Sequence, residues 1–172
     1  MELQGFEKIS VYDLESAAKL IGKDWMLITA KDEERGSVNA MTASWGCMGV
    51  LWNKPVAVCF IRPQRYTYGL AEKANRLSLA FFGDGHREAL KLCGTKSGRD
   101  CDKLREAGLS RTEADGVPVI AEAELLLICR KLYADDIKEE GFLDSSLLAN
   151  YSQKDYHRIY VCEIESAYRK IK

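Results

Sequence analysis

Arg62 and Arg65, with Thr67 two places on, fall within six residues, Arg62-Pro63-Gln64-Arg65-Tyr66-Thr67. Guanidinium groups at this spacing suit a phosphate, because their planar N–H forks match its oxygens. The apolar run Val56–Ile61 precedes them and reads as a buried strand, which Pro63 ends. A helical pattern follows to about Asn75, with Thr67 as its expected cap. A helix start offers free N–H groups and partial positive charge to an anion. A plainer reading leaves both arginines on the surface and Thr67 as a cap only. Lys96, Ser97 and Arg99, in a glycine-flanked turn, are candidates to close the same site, or form a solvated loop.

Upstream lies Asn39–Trp45, NAMTASW. Between Gly36 and Ala71 there is no Asp or Glu, in a chain with 26 acids among 172 residues. Clearing carboxylates from a stretch that keeps Lys54, Arg62 and Arg65 favours a dianion. Thr42 and Ser44 add hydroxyls, and Trp45, Trp52, Gly46 and Gly49 add aromatic and small surfaces to border a flat ring. The stretch therefore reads as a site for a phosphorylated aromatic ligand. Buried strands are also free of acids, so a purely structural origin stays open.

The six cysteines show no CxxC spacing. That argues against zinc, iron–sulfur and disulfide frameworks. Cys59, Cys129 and Cys162 sit in apolar runs and read as small hydrophobes. Cys47 and Cys93 stand beside glycines near the proposed site. His157, one of two histidines, is a weak candidate for proton transfer or substrate orientation. A partly exposed strand histidine is the alternative.

A net charge of −1 removes the electrostatic case for nucleic acid. No apolar run approaches the roughly 20 residues of a membrane span. The N-terminal MELQGFEK lacks a secretory pattern. A cytoplasmic single domain over residues 1–172 is expected.

Helices are expected at Val11–Leu20 with Asp13 as a cap, at Thr67–Asn75, at His86–Leu92, and from Ser97 or Asp100 to near Gly108. Strands are expected at Trp25–Lys31, Gly36–Ala43, Val56–Ile61, Leu77–Phe82, Glu122–Ile137 and Tyr156–Tyr168, with a turn at Asn53-Lys-Pro. Strands and helices do not alternate as βαβ units, so an antiparallel barrel with peripheral helices is favoured. Neither GxGxxG nor GxxxxGK[ST] occurs, which leaves out the usual nucleotide cradles.

Several segments, in order, resemble one family: NAMTASWG, GVLWNKP, IRPQRYTY, LSLAFF, CGTKSGRDCDKL, AEAELLLICRKLY and DYHRIYVCEI. Together they are similar to the flavin reductase-like, flavoredoxin-containing branch of the FMN-binding split-barrel proteins. The resemblance implies a mainly β fold with peripheral helices, a six-stranded antiparallel split barrel of Greek-key type. It implies a homodimer with FMN at its interface. Asn39, Met41, Thr42, Ala43, Ser44, Trp45 and Cys47 would border the ring and ribityl chain. Arg62, Pro63, Arg65, Tyr66 and Thr67 would form the phosphate corner, with Lys96 and Ser97 assisting. A small residue is expected where Cys47 stands. The implied activity is hydride transfer from NAD(P)H to FMN, with electrons passing to flavin, ferric iron or a protein. A flavoredoxin-type carrier reduced by a redox partner protein, without its own nicotinamide site, is the alternative.

Overall fold

Alternation of apolar residues sets which side of each strand is buried, and here both sides are used. In a computed structural model, which describes residues 4–14 and 16–171, ten strands form. They are β1 (Phe6–Ile9), β2 (Met26–Lys31), β3 (Val38–Ala43), β4 (Gly46–Leu51), β5 (Lys54–Ile61), β6 (Arg76–Phe81), β7 (Arg111–Ala114), β8 (Val117–Ile120), β9 (Leu125–Asp136) and β10 (Arg158–Lys170). Three α-helices accompany them: α1 (Tyr66–Lys73), α2 (Arg87–Thr95) and α3 (Lys103–Glu106). Residues 1–3, which belong to the N-terminal reading, lie outside the described residues. So does Glu15 of the expected Val11–Leu20 helix.

The main sheet is antiparallel and runs β3-β2-β6-β9-β10-β5-β4, with β1 also on β10. Eight strands therefore replace the expected six. The surplus comes from β1 and β4, both of which pair along their whole length. Strands β5, β6, β9 and β10 lie in the order β6-β9-β10-β5, the Greek-key arrangement. Among the described residues no ladder joins β3 to β4, so the hydrogen-bonded sheet is curled but not closed.

The concave core takes Met26, Ile28 and Ala30 from β2, Leu77, Leu79 and Phe81 from β6, and Leu125, Leu127 and Cys129 from β9. Leu27, Ala80, Leu126 and Ile128, the intervening residues, face a second core beneath α2, α3 and the β7–β8 hairpin. Burial on both faces explains why β9 begins as the unbroken run LLLIC. Strand β10 changes parity along its length. Tyr160, Cys162 and Ile164 join the concave core, and so does Ala167, while Tyr168 faces the other way. The cause is a register irregularity between Ile164 and Ser166 against β9. Such bulges bend a strand and increase its twist, which helps curl the sheet. Helix α1 closes one end by packing Leu70, Ala71 and Ala74 into the concave core.

Several local expectations change. The Val11–Leu20 helix is replaced by a 3-10 turn, Val11–Asp13, and a π-helical segment, Ala18–Asp24. The turn is capped by Ser10, whose Oγ accepts from the Tyr12 N–H, and not by Asp13. The hairpin tip is Trp52-Asn53, both with positive φ (53° and 57°), so Lys54 and Pro55 already belong to β5. The helix expected from Ser97 starts later, at α3, where Asp102 Oδ1 accepts from Arg105 N. The segment beyond it forms the β7–β8 hairpin around Asp115-Gly116.

Candidate functional site

Two adjacent clefts open where β3 and β5 end and α1 begins. The first is lined by Met41, Thr42, Ala43, Ser44, Trp45, Phe60, Arg62, Arg65 and His157. The second is lined by Gln64, Arg65, Tyr66, Thr67, Gly94, Thr95, Lys96, Ser97, Arg99 and Lys103. Arg65 belongs to both. The first is aromatic and hydroxylated. The second holds four cationic side chains, and no carboxylate lines it.

The chain turns from β5 into α1 through residues 62–65, so Arg65 sits at the N-cap of α1. Among the described residues no side chain caps this helix. Its first N–H groups therefore point outward with the positive end of the helix dipole. Thr67 is not the cap. It is the second residue of the helix, fully buried, and its Oγ1 accepts from Asn39 Nδ2 at 2.7 Å. Asn39 accordingly lines neither cleft and braces α1 against β3. Pro63 is exposed and also lines neither.

The arginines part company. Arg62 pairs with Asp155 and donates from Nη2 to the Asn150 carbonyl at 2.9 Å, lying over the Tyr151 ring. Its charge is thus neutralised within the chain. Arg65 carries a buried Nη2 with no hydrogen-bond partner among the described residues. Burial draws its guanidinium below the ordinary arginine range. A buried, unpaired guanidinium nitrogen is costly unless an anion meets it. The phosphate reading therefore concentrates on Arg65.

Lys103 was not foreseen as a site residue. It is 3% exposed, and its Nζ donates to the Cys93 carbonyl at 3.1 Å and the Lys96 carbonyl at 3.3 Å. Burial, reinforced by Arg65, lowers its pKa to about 8. Nothing in the segment Asp102-Lys103-Leu104 distinguishes this lysine from an exposed helix lysine. Lys96 pairs with Glu106 at 2.5 Å, and Ser97 Oγ accepts from the Arg99 N–H, so the 96–99 turn is internally braced. Arg99 stacks over Tyr66, 5.1 Å from its centroid. Gly98 lets this turn press against the site: a Cβ there would lie 2.2 Å from Asn39 Oδ1 and 2.9 Å from Tyr66 Cδ1.

In the first cleft, Thr42 donates its hydroxyl to the Leu90 carbonyl at 2.5 Å and so ties α2 to β3. Trp45 is 44% exposed and tilts against His157, with centroids 5.1 Å apart. Cys47 is exposed on β4 but lines neither cleft. His157 is 7% exposed, and Tyr151 Oη meets its Nδ1 at 2.9 Å. Burial first, and the Arg62 charge second, lower its pKa to about 4. It is therefore a buried neutral imidazole at pH 7, which corrects both the expected partly exposed histidine and the unperturbed proton donor.

A curled antiparallel sheet thus carries an uncapped helix start, an orphan arginine and a neighbouring aromatic cleft at one place. Residues 19–170 match the family model described as the flavin reductase like domain, and the chain belongs to that family. Comparison with curated proteins found no match. Solved structures share the fold. An FMN-binding domain of a flavin reductases-like enzyme from Shewanella baltica is 18% identical, covering 96% of this chain and 77% of that one, with a TM-score of 0.68. Flavoredoxin from Methanosarcina acetivorans is 23% identical, covering 86% and 68%, with a TM-score of 0.63. An NADH:FAD oxidoreductase from Streptomyces globisporus, in complex with NAD and FAD fragments, is 16% identical, covering 85% and 74%, with a TM-score of 0.62.

Proposed function

We propose that the chain is an FMN-dependent flavin reductase-like oxidoreductase of the split-barrel kind. NAD(P)H is its electron donor, and flavin, ferric iron or a protein is the acceptor. The observation that carries this reading is the unpartnered Arg65 nitrogen at the junction of the two clefts. Arg65 and the free N–H groups of α1 hold the phosphate. Lys103 and Arg99 supply positive potential without direct carboxylate competition. Met41, Ala43 and Trp45 flank the ring and limit water at its face. Bound FMN supplies hydride acceptance and electron transfer, so the protein needs no paired carboxylates or nucleophile.

The cleft beside Trp45 has a volume of about 160 Å³, smaller than the roughly 300 Å³ at which enclosed ligand pockets begin. Edge strand β4 beside it exposes Val50 and Leu51, and Trp52 stands at its hairpin tip. Both features support a homodimer that completes the site from a second copy. Six free cysteines, four of them buried, suit the reducing cytoplasm. The flavoredoxins among the structural neighbours support a second reading, an FMN electron carrier reduced by a partner protein.

The test is a visible spectrum of the purified protein after FMN addition and removal of excess. A retained flavin spectrum is expected, and a colourless protein would overturn the reading. Anaerobic addition of NADH or NADPH then separates the two roles. Bleaching by the nucleotide alone marks the reductase. Bleaching only with an added reductase marks the carrier.

A further inference from the structure

His157 lines the first cleft and Tyr151 stands behind it; neither belongs to the cationic second cleft. Tyr151 is buried on the excursion between β9 and β10, and its ring meets His157 edge-on with centroids 5.6 Å apart. Its hydroxyl lies 2.9 Å from Nδ1. Arg62 lies over the Tyr151 ring, 5.1 Å from its centroid, and is held there by Asp155 and the Asn150 carbonyl. Phe60 and Trp45 complete the surroundings of the imidazole, with centroids 6.4 and 5.1 Å away. The charged groups facing the pair are Arg62 and Asp155, whose charges oppose one another, and the titratable Tyr156 ring lies 4.9 Å from that of Tyr151.

A neutral imidazole carries one proton, on either Nδ1 or Nε2. The Tyr151 hydroxyl makes no other hydrogen bond among the described residues, and a buried hydroxyl donates where an acceptor is in reach. Nδ1 is that acceptor, so the proton belongs on Nε2. Among the described residues Nε2 makes no hydrogen bond, and it is not one of the buried unpartnered nitrogens. It therefore keeps some exposure, on a ring that lines the first cleft.

We propose that Tyr151 is a positioning residue that fixes His157 as a neutral Nε2–H donor, presented beside Trp45 to a carbonyl oxygen of the electron-donating or electron-accepting substrate. The carbonyl part rests on the flavin reading above. The tautomer part does not. An uncharged donor here selects a neutral acceptor atom, such as an amide or ketone oxygen, over a carboxylate. Arg62, already paired with Asp155, leaves that preference intact.

Nitrogen-15 NMR of the histidines in the FMN-free protein tests the tautomer directly. His157 is expected as a single Nε2–H species whose shifts stay constant from pH 8 to pH 6. In Tyr151→Phe it becomes a mixture of tautomers, and an unchanged single Nε2–H form in that variant would overturn the positioning role. A folded wild-type protein showing Nδ1–H, or a His157 titration centred near 6.5, would overturn the assignment. Nicotinamide added to FMN-loaded protein is expected to shift the Nε2 resonance, and pyridine, which lacks the carbonyl, is not. Equal shifts from both would refute the carbonyl role and leave the tautomer result standing. Failure of FMN to bind would sink the flavin reading alone.

Discussion

Arg65→Met separates what Arg65 does for the fold from what it does for the ligand, because the two effects have opposite signs. Methionine keeps an apolar stem of similar length and removes the guanidinium. In the FMN-free protein that guanidinium has a buried Nη2 with no partner, and burial already disfavours its charge. An unsatisfied buried polar group costs about 1–3 kcal/mol. Because Arg65 is only half-buried, the lower figure applies. Removing it is expected to stabilise the free protein by about 1 kcal/mol, a Tm rise of roughly 2–4 °C for a chain of this size. The same change removes a charge-assisted phosphate contact worth about 1.5–3 kcal/mol, so FMN binding weakens roughly 10- to 150-fold. Thermal unfolding of the FMN-free protein and fluorescence titration with FMN measure the two quantities. A variant that binds FMN within twofold of the wild type refutes the phosphate assignment. A free variant whose Tm falls by several degrees shows that Arg65 is a structural partner and refutes the reasoning from its orphan nitrogen.

Three further outcomes are expected. In Gly98→Ala the new Cβ would overlap Asn39 Oδ1, so the Asn39–Thr67 bond and the 96–99 turn cannot both stay in place. Urea denaturation should show a loss of about 2–4 kcal/mol, and FMN affinity should fall with it; unchanged stability would mean that the turn does not pack on Asn39. His157 has its pKa lowered from 6.5 to about 4, so the unfolded chain takes up a proton that the folded chain refuses. Its contribution is complete above pH 6.5 and is lost as pH falls toward 4, by about 3 kcal/mol in all; a His157→Gln variant with the same acid profile as the wild type would disprove this. Lys103, with its pKa lowered to about 8, loses its charge as pH rises past that value. FMN affinity should therefore weaken between pH 7 and pH 9, and Lys103→Met should abolish that dependence in an equilibrium titration.

The fold was legible where one physical signal decided the matter. Alternation or continuous apolarity placed β2, β3, β5, β6, β9 and β10 within a few residues, because burial on one or both faces dictates those patterns. The strand β4 escaped notice. Gly46-Cys47-Met48-Gly49-Val50-Leu51 is an edge strand whose outer side chains stay exposed within the single chain, so its pattern carries little signal. The β7–β8 hairpin escaped for a different reason. Its Asp115-Gly116 tip is a strong hairpin signal, but the strands it joins have four residues each, too short for periodicity.

The site shows the same division between what composition encodes and what only packing decides. An acid-free stretch with two arginines predicted an anion site, since carboxylates would repel the ligand wherever the chain folded. The individual roles depended on neighbours remote in sequence. Arg62 is neutralised by Asp155, 93 residues away. Thr67 is claimed by Asn39, 28 residues away. Those partnerships leave Arg65, of the cations lining the two clefts, with an unmet nitrogen, although in sequence the two arginines are equivalent. Lys103 shows the converse: an unremarkable helical lysine becomes a buried cation because the carbonyls of Cys93 and Lys96 converge on it. If the proposed phosphate site holds, composition locates it, while the residue left to meet the phosphate is fixed by which charges the rest of the fold has already paired.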